Sequence, residues 1–155
     1  MKILNKLFGA STPAKIYTPQ SEQEAWIAIM YASMHIDGHI ADAEIQTMFD
    51  IVGKSPLFKG KNVADYYQPA LLANRKVGSY NLIDGSVAFI QEDQKACLFE
   101  LIMKLLLADG KLLQKEKEIA AYLTTALELE FYTAKKIVDD LVVNKSFIGN
   151  FTDYQ

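Results

Sequence analysis

Residues 32–52, ASMHIDGHIADAEIQTMFDIV, and residues 104–123, KLLLADGKLLQKEKEIAAYL, write one pattern twice. Asp37 matches Asp109, Gly38 matches Gly110, Ile40 matches Leu112 and Glu44 matches Glu116, each pair 72 residues apart. The match extends upstream to Met30 and Ile102, and downstream to Met48 with Ala120 and Ile51 with Leu123. In each copy an apolar helical run stops at Asp-Gly, where glycine can close a helix in the left-handed conformation. An aliphatic residue follows, then a glutamate in the first turn of the next helix, where unpaired backbone N–H groups favour an acid. A duplicated helix–turn–helix predicts an all-α chain, a compact bundle of about seven helices with two pseudo-symmetric helical hairpins.

The remaining helices are read outward from these two turns. Ser21 with Glu24 reads as a cap for a helix over 22–36, apolar on more than one side and therefore central. Ile45, Met48, Phe49 and Val52 make the inward stripe of the next helix, which Gly53 and Pro56 stop. Residues 59–75 read as a third helix, kinked or split at Pro69, with Val63, Tyr66, Tyr67 and 70–72 packing. Gly78 interrupts, and 79–90 read as a short helix weakened by Asp84-Gly85. Leu98, Phe99, Leu101, Ile102, Leu105 and Leu106 mark a helix over 92–108. Ile119, Tyr122, Leu123 and Leu127 mark one over 114–128, and Tyr132, Ile137, Leu141 and Val142 one over 131–144.

Composition bounds the function. The chain has 155 residues, half of them apolar, with sixteen basic and nineteen acidic residues for a net charge of -3. That length suits one domain with its own core. The charge gives no general attraction to nucleic acid, and Lys135-Lys136 is a pair, not a patch. No apolar run is long enough to span a membrane, so a cytoplasmic location is the default expectation. Ile3, Leu4, Leu7 and Phe8 make a small apolar face beside Lys2 and Lys6, suited to docking on the domain, to a protein contact or to a membrane surface. The single cysteine, Cys97, rules out an intrachain disulfide and reads as a small buried thiol. No metalloprotease HExxH, phosphate-binding loop or dinucleotide GxGxxG is present. His35 reads as a helical residue, not a base.

The units MHIDGHIADAEI and LLADGKLLQKEKEI resemble the repeated helical motif of the tellurite-resistance TerB-like family, over roughly residues 20–145. The resemblance implies a lead-in over 1–20, a TerB-like helical domain over 21–145 and a tail over 146–155. It also implies a role in tellurite resistance, stress response or phage-related phenotypes, without catalysis, and divalent-cation binding through the motif acids. Asp37, Glu44, Asp109 and Glu116 occupy those positions. The chain departs from the pattern at Ala41 and Leu113, where members often place Ser or another cap.

Two readings of the acids stand side by side. Carboxylates suit hard cations such as Ca²⁺, Mg²⁺ or Mn²⁺, and a tight turn can bring Asp37 to Glu44 and Asp109 to Glu116. His39 becomes Lys111, which argues against a symmetric histidine site. Asp42 becomes Gln114, so the first half is the more acidic. DGHIADAE is too short for an EF-hand and places Ile40 inside the turn. Alternatively the glutamates serve only the helix N-termini, and the aspartates only their turns. The expected function is a noncatalytic module with a protein partner, a divalent cation and the option of forming homo-oligomers. A metal-assisted hydrolase and a purely structural oligomerisation module are the alternatives.

Overall fold

The computed structural model describes residues 17–36, 40–108 and 112–153, the last ten as helix backbone. Seven α-helices, and no strand, run through the described residues: α1 Glu22–His35, α2 Asp42–Gly53, α3 Ala64–Val77, α4 Ser79–Ser86, α5 Lys95–Leu106, α6 Gln114–Ala126 and α7 Phe131–Asp153. Short 3₁₀ turns at Pro56–Phe58, Val87–Phe89 and Glu92–Gln94 link them.

α1 is the axis of the bundle. The Ser21 side chain accepts the Glu24 N–H at 3.1 Å, and the Glu24 carboxylate accepts the Gln20 N–H at 3.1 Å and the Tyr17 hydroxyl. Every residue from Ala25 to Met34 is buried. Ala25, Ala28 and Ala32 carry little side-chain bulk toward their neighbours, and α3 and α4 pack most extensively on this helix, with α5 and the 87–89 turn also against it. Trp26 meets Phe58 edge-on at 6.4 Å, and Tyr67 takes Tyr31 and Phe49 edge-on at 5.5 and 5.6 Å. Truncating an aliphatic side chain so enclosed, Ile29 for example, costs ~2–5 kcal/mol.

Helix boundaries follow the sequence closely, with instructive differences. α3 runs unbroken through Pro69, which is exposed. The backbone acceptor that a proline ring leaves unpaired one turn earlier can turn to water on that face. Gly78 adopts φ 87° and separates α3 from α4. Gly85 lies inside α4 because the lead-in crosses it: an added Cβ would sit 2.5 Å from the Tyr17 carbonyl oxygen. Leu72 and Tyr132, read as packing residues, point outward at 52% and 68% exposure; Ala73 and Ala134 take the inward places. α7 continues to Asp153, so most of the segment read as a tail is helical.

α6 ends in a left-handed cap. Leu129 N–H reaches the Thr124 carbonyl at 2.9 Å and Glu128 N–H the Thr125 carbonyl at 3.1 Å, with Glu128 at φ 56°. This is the Schellman arrangement with glutamate where glycine is usual. The Glu128 carboxylate lies 3.7 Å from the Lys95 ammonium, which also pairs with Glu92 at 2.8 Å. Lys95 buries its stem and shows only 7% of its surface, so these acids tie the start of α5 to the end of α6.

The duplication holds at the helix starts and diverges beyond them. α1 and α5, the equivalent helices, meet each other. α2 packs on α5, whereas α6 packs on α5 and α7. Met48 and Val52 are the buried residues of α2; their counterparts 72 residues on are Ala120 and Thr124. α6 instead buries Ile119 and Leu123, a face rotated by one residue.

Candidate functional site

The two repeated helix starts share one geometry. Ala41 (φ -77°, ψ 151°) precedes α2 and Leu113 (φ -81°, ψ 168°) precedes α6, both extended. Neither side chain can accept a hydrogen bond, so the serine half of a capping box is missing. The other half forms in both copies. Glu44 Oε1 accepts the Ala41 N–H at 3.0 Å, and Glu116 Oε1 accepts the Leu113 N–H at 3.0 Å. The backbone closes the start of α2 further: the Ala41 carbonyl accepts from Glu44 N–H at 3.0 Å and Ile45 N–H at 3.2 Å. Glu44 is exposed and Glu116 half-buried. A carboxylate offers about four lone-pair directions, so one amide bond leaves most of each group open.

Asp37 and Asp109, with the rest of both Asp-Gly turns and His39, lie outside the described residues. Among the described residues no three His, Cys, Asp or Glu side chains gather as a metal would need. Asp42, the extra acid of the first half, is exposed at the start of α2. Burial first, and Asp42 second, raise the Tyr67 pKa above its usual value, while the Arg75 charge works the other way.

His35 is held rather than poised. Its ring stacks on Tyr31 at 5.5 Å, and its Nδ1 lies 3.1 Å from the buried Asn74 amide. Asn74 Oδ1 in turn accepts the Ser79 hydroxyl at 3.0 Å. The amide stands between hydroxyl and imidazole, so this chain of bonds is not a nucleophile–base pair. Cys97 corrects the sequence reading: it is exposed on the flank of α5. Partial burial and the Glu100 charge raise its pKa, which keeps it a thiol at neutral pH.

The sequence reading missed a groove of about 520 Å³ between α6 and α7. The buried Phe99 and Ala134 line it, together with Leu112, Ala120, Ala121, Thr124 and Val138. Phe131, 75% exposed, also lines it, as do Lys117, Lys135 and Asp139. The signal was present in the letters: α2 reads MFDIV where α6 reads AAYLT.

No helix of the described residues is long and apolar enough to cross a membrane. No family model matches the sequence, no curated protein is significantly similar to it, and no solved structure matches it significantly.

Proposed function

We propose that this chain is a noncatalytic stress-response module of the TerB-like kind, which takes up a divalent cation at its two acidic turns and uses the occupied turn to meet a protein partner. The observation that carries the reading is the paired glutamate geometry. Glu44 and Glu116 are both pinned by one oxygen to the amide just before their own helix at 3.0 Å, directly after the turns that hold Asp37 and Asp109 in sequence. Pinning orients a carboxylate before an ion arrives, and the remaining oxygen is free to ligate.

Two forces set the strength of such a site. The positive end of the helix opposes a cation, while each carboxylate favours it. With about two acids per turn, affinity falls in the weak range, Kd on the order of 10⁻⁴–10⁻³ M, as in low-charge calcium modules. Hard cations, Ca²⁺, Mg²⁺ or Mn²⁺, suit the all-oxygen donor set.

Calorimetry on chelator-treated protein tests this with Ca²⁺, Mg²⁺, Mn²⁺ and Zn²⁺. Saturable uptake by the wild type, lost in Asp37→Asn with Glu44→Gln and in Asp109→Asn with Glu116→Gln, is the expected outcome. No uptake at millimolar ion overturns the cation role and leaves the glutamates as helix caps alone.

A further inference from the structure

The geometry points to the groove between α6 and α7 as a binding site for a small amphipathic monoanion, a free medium-chain alkyl carboxylate whose head pairs with Lys117. The site needs no divalent ion and stands apart from the reading of the two acidic turns.

The groove has the size and the lining of a small-molecule site. Its volume of about 520 Å³ falls inside the ~300–1,000 Å³ usual for such pockets, which are mostly apolar with a few placed polar groups. The lining reaches the core: Phe99 is fully enclosed, and Ala134 and Val138 are buried. Ala120 and Ala121 add only methyl groups. Thr124 adds a hydroxyl whose proton is already committed to the Ala120 carbonyl at 2.6 Å. A surface of this kind offers water few hydrogen bonds, and an alkyl chain that takes its place gains by leaving solvent itself.

Length selects the tail. The α6 residues of the lining run from Lys117 to Thr125, which at 1.5 Å per residue is ~12 Å along the helix. With C–C bonds of ~1.5 Å in a zigzag, an alkyl chain of about ten carbons covers the same distance. Phe131, 75% exposed, follows the turn after α6 and gives the tail an aromatic surface at the end away from Lys117.

Charge selects the head. Three charged residues line the groove, Lys117, Lys135 and Asp139. Lys135 and Asp139 pair at 2.6 Å and offset each other. Lys117 has no acid partner among the described residues, which leaves the lining with one net positive charge on a chain whose net charge is -3. A carboxylate answers that charge in sign and number, and a lysine, as a point charge on a flexible stem, receives it without a fixed geometry. An alkylammonium of the same length fills the groove equally well but meets repulsion at its head.

Methyl-labelled NMR of the full chain in chelator, titrated with sodium decanoate below its micelle threshold, tests the inference. Divalent ions are absent, so this site and the cation turns fail separately. The methyls of Ala120, Ala121 and Ala134 should shift saturably while the core methyls of Ala25 and Ala28 stay unmoved. Lys117→Met should weaken decanoate about three- to fivefold, the worth of one exposed ion pair, and should not weaken decyltrimethylammonium. Ala121→Trp, at an exposed position of the lining, should weaken decanoate about tenfold or more without lowering the thermal midpoint. Absence of saturable shifts in the wild type overturns the inference. So do equal wild-type affinities for the anion and the cation, and decanoate binding left unchanged by Lys117→Met or by Ala121→Trp. Shifts that spread to Ala25 and Ala28, or that arise only on phosphatidylglycerol vesicles, overturn it as well.

Discussion

Removing the paired glutamates one at a time separates helix capping from ion binding, because the two roles predict different stability in different buffers. Glu44 and Glu116 supply the side-chain bonds to the amides that open α2 and α6, both at 3.0 Å, the preceding Ala41 and Leu113 having no acceptor to offer. Glu44→Ala removes one hydrogen bond and one favourable charge at a helix N-terminus, together ~1–1.5 kcal/mol without metal. Glu44→Gln keeps an acceptor and loses the charge, ~0.3–1 kcal/mol. For a chain of this size ~1 kcal/mol moves the thermal midpoint by about 2–4 °C. The two glutamates serve different helices, so the effects of Glu44→Ala and Glu116→Ala should add. Calcium at about 10 mM then adds a second term. A site with Kd of ~1 mM stabilises the wild type by ~1.4 kcal/mol through linkage, and the variants gain nothing at the altered turn. The assay is thermal unfolding by circular dichroism, in chelator and in calcium. A midpoint for Glu44→Ala equal to wild type in chelator refutes the capping argument; an equal calcium shift in wild type and Glu44→Ala refutes a role for Glu44 in ion binding.

Other consequences are as direct. The Tyr122 pKa is pushed up to about 12, by burial first and then by its bond to Asp84. The folded state thus holds this proton more tightly than the unfolded one, so the contribution is full below pH ~10 and lost as pH rises toward 12. Tyr122→Phe should flatten that part of a stability–pH curve, and an unchanged slope would refute the assignment. Gly85→Val should lift the lead-in off α4, since a side chain there meets the Tyr17 carbonyl; faster hydrogen exchange at the Gln20 amide reports it. Glu128→Gly should relieve the left-handed residue that ends α6 by about 1 kcal/mol, offset in part by the weak 3.7 Å pair with Lys95, and urea unfolding midpoints measure the balance. Lys95→Met should cost under ~1 kcal/mol because the stem is buried and both acid partners are largely exposed, while Lys95→Ala should cost more through lost packing; the same urea midpoints rank the two.

The sequence disclosed the helices well because their signals are local. Ser21 with Glu24 marked the start of α1, and the apolar run from Ala25 to Met34, broken only by Ser33, marked it as buried on more than one side. Gly78 marked the break after α3, where the structure gives it a φ of 87°. What the letters concealed depends on neighbours distant in sequence. Asp84-Gly85 reads as a break, yet the glycine serves the passage of Tyr17 over α4. Tyr132 and Leu72 fit a helical stripe, but alanines one or two positions on face the core, since helices that approach closely admit only small side chains there. Of the candidate acids, the placement of Glu44 and Glu116 at helix starts was legible from the turn that precedes each. Their bond back to an amide three residues earlier was implicit in the same spacing, because that half of a capping box does not need a serine. The groove was hidden because a repeat draws the eye to residues that match, whereas the groove arises where Met48, Phe49 and Val52 are answered by smaller ones.

The enclosure of α1 sets how the molecule comes apart. A helix buried on every side has no solvent face from which to peel, so its amides can exchange with water only when the surrounding helices have already separated. Exchange rates in Ile27 to Met30 therefore read out the free energy of opening the whole bundle. The second half, where α6 and α7 leave a groove between them, can breathe at lower cost, and its amides will record a smaller, partial opening. The protein thus contains its own two reference clocks, one for complete disassembly at the axis and one for loosening at the rim.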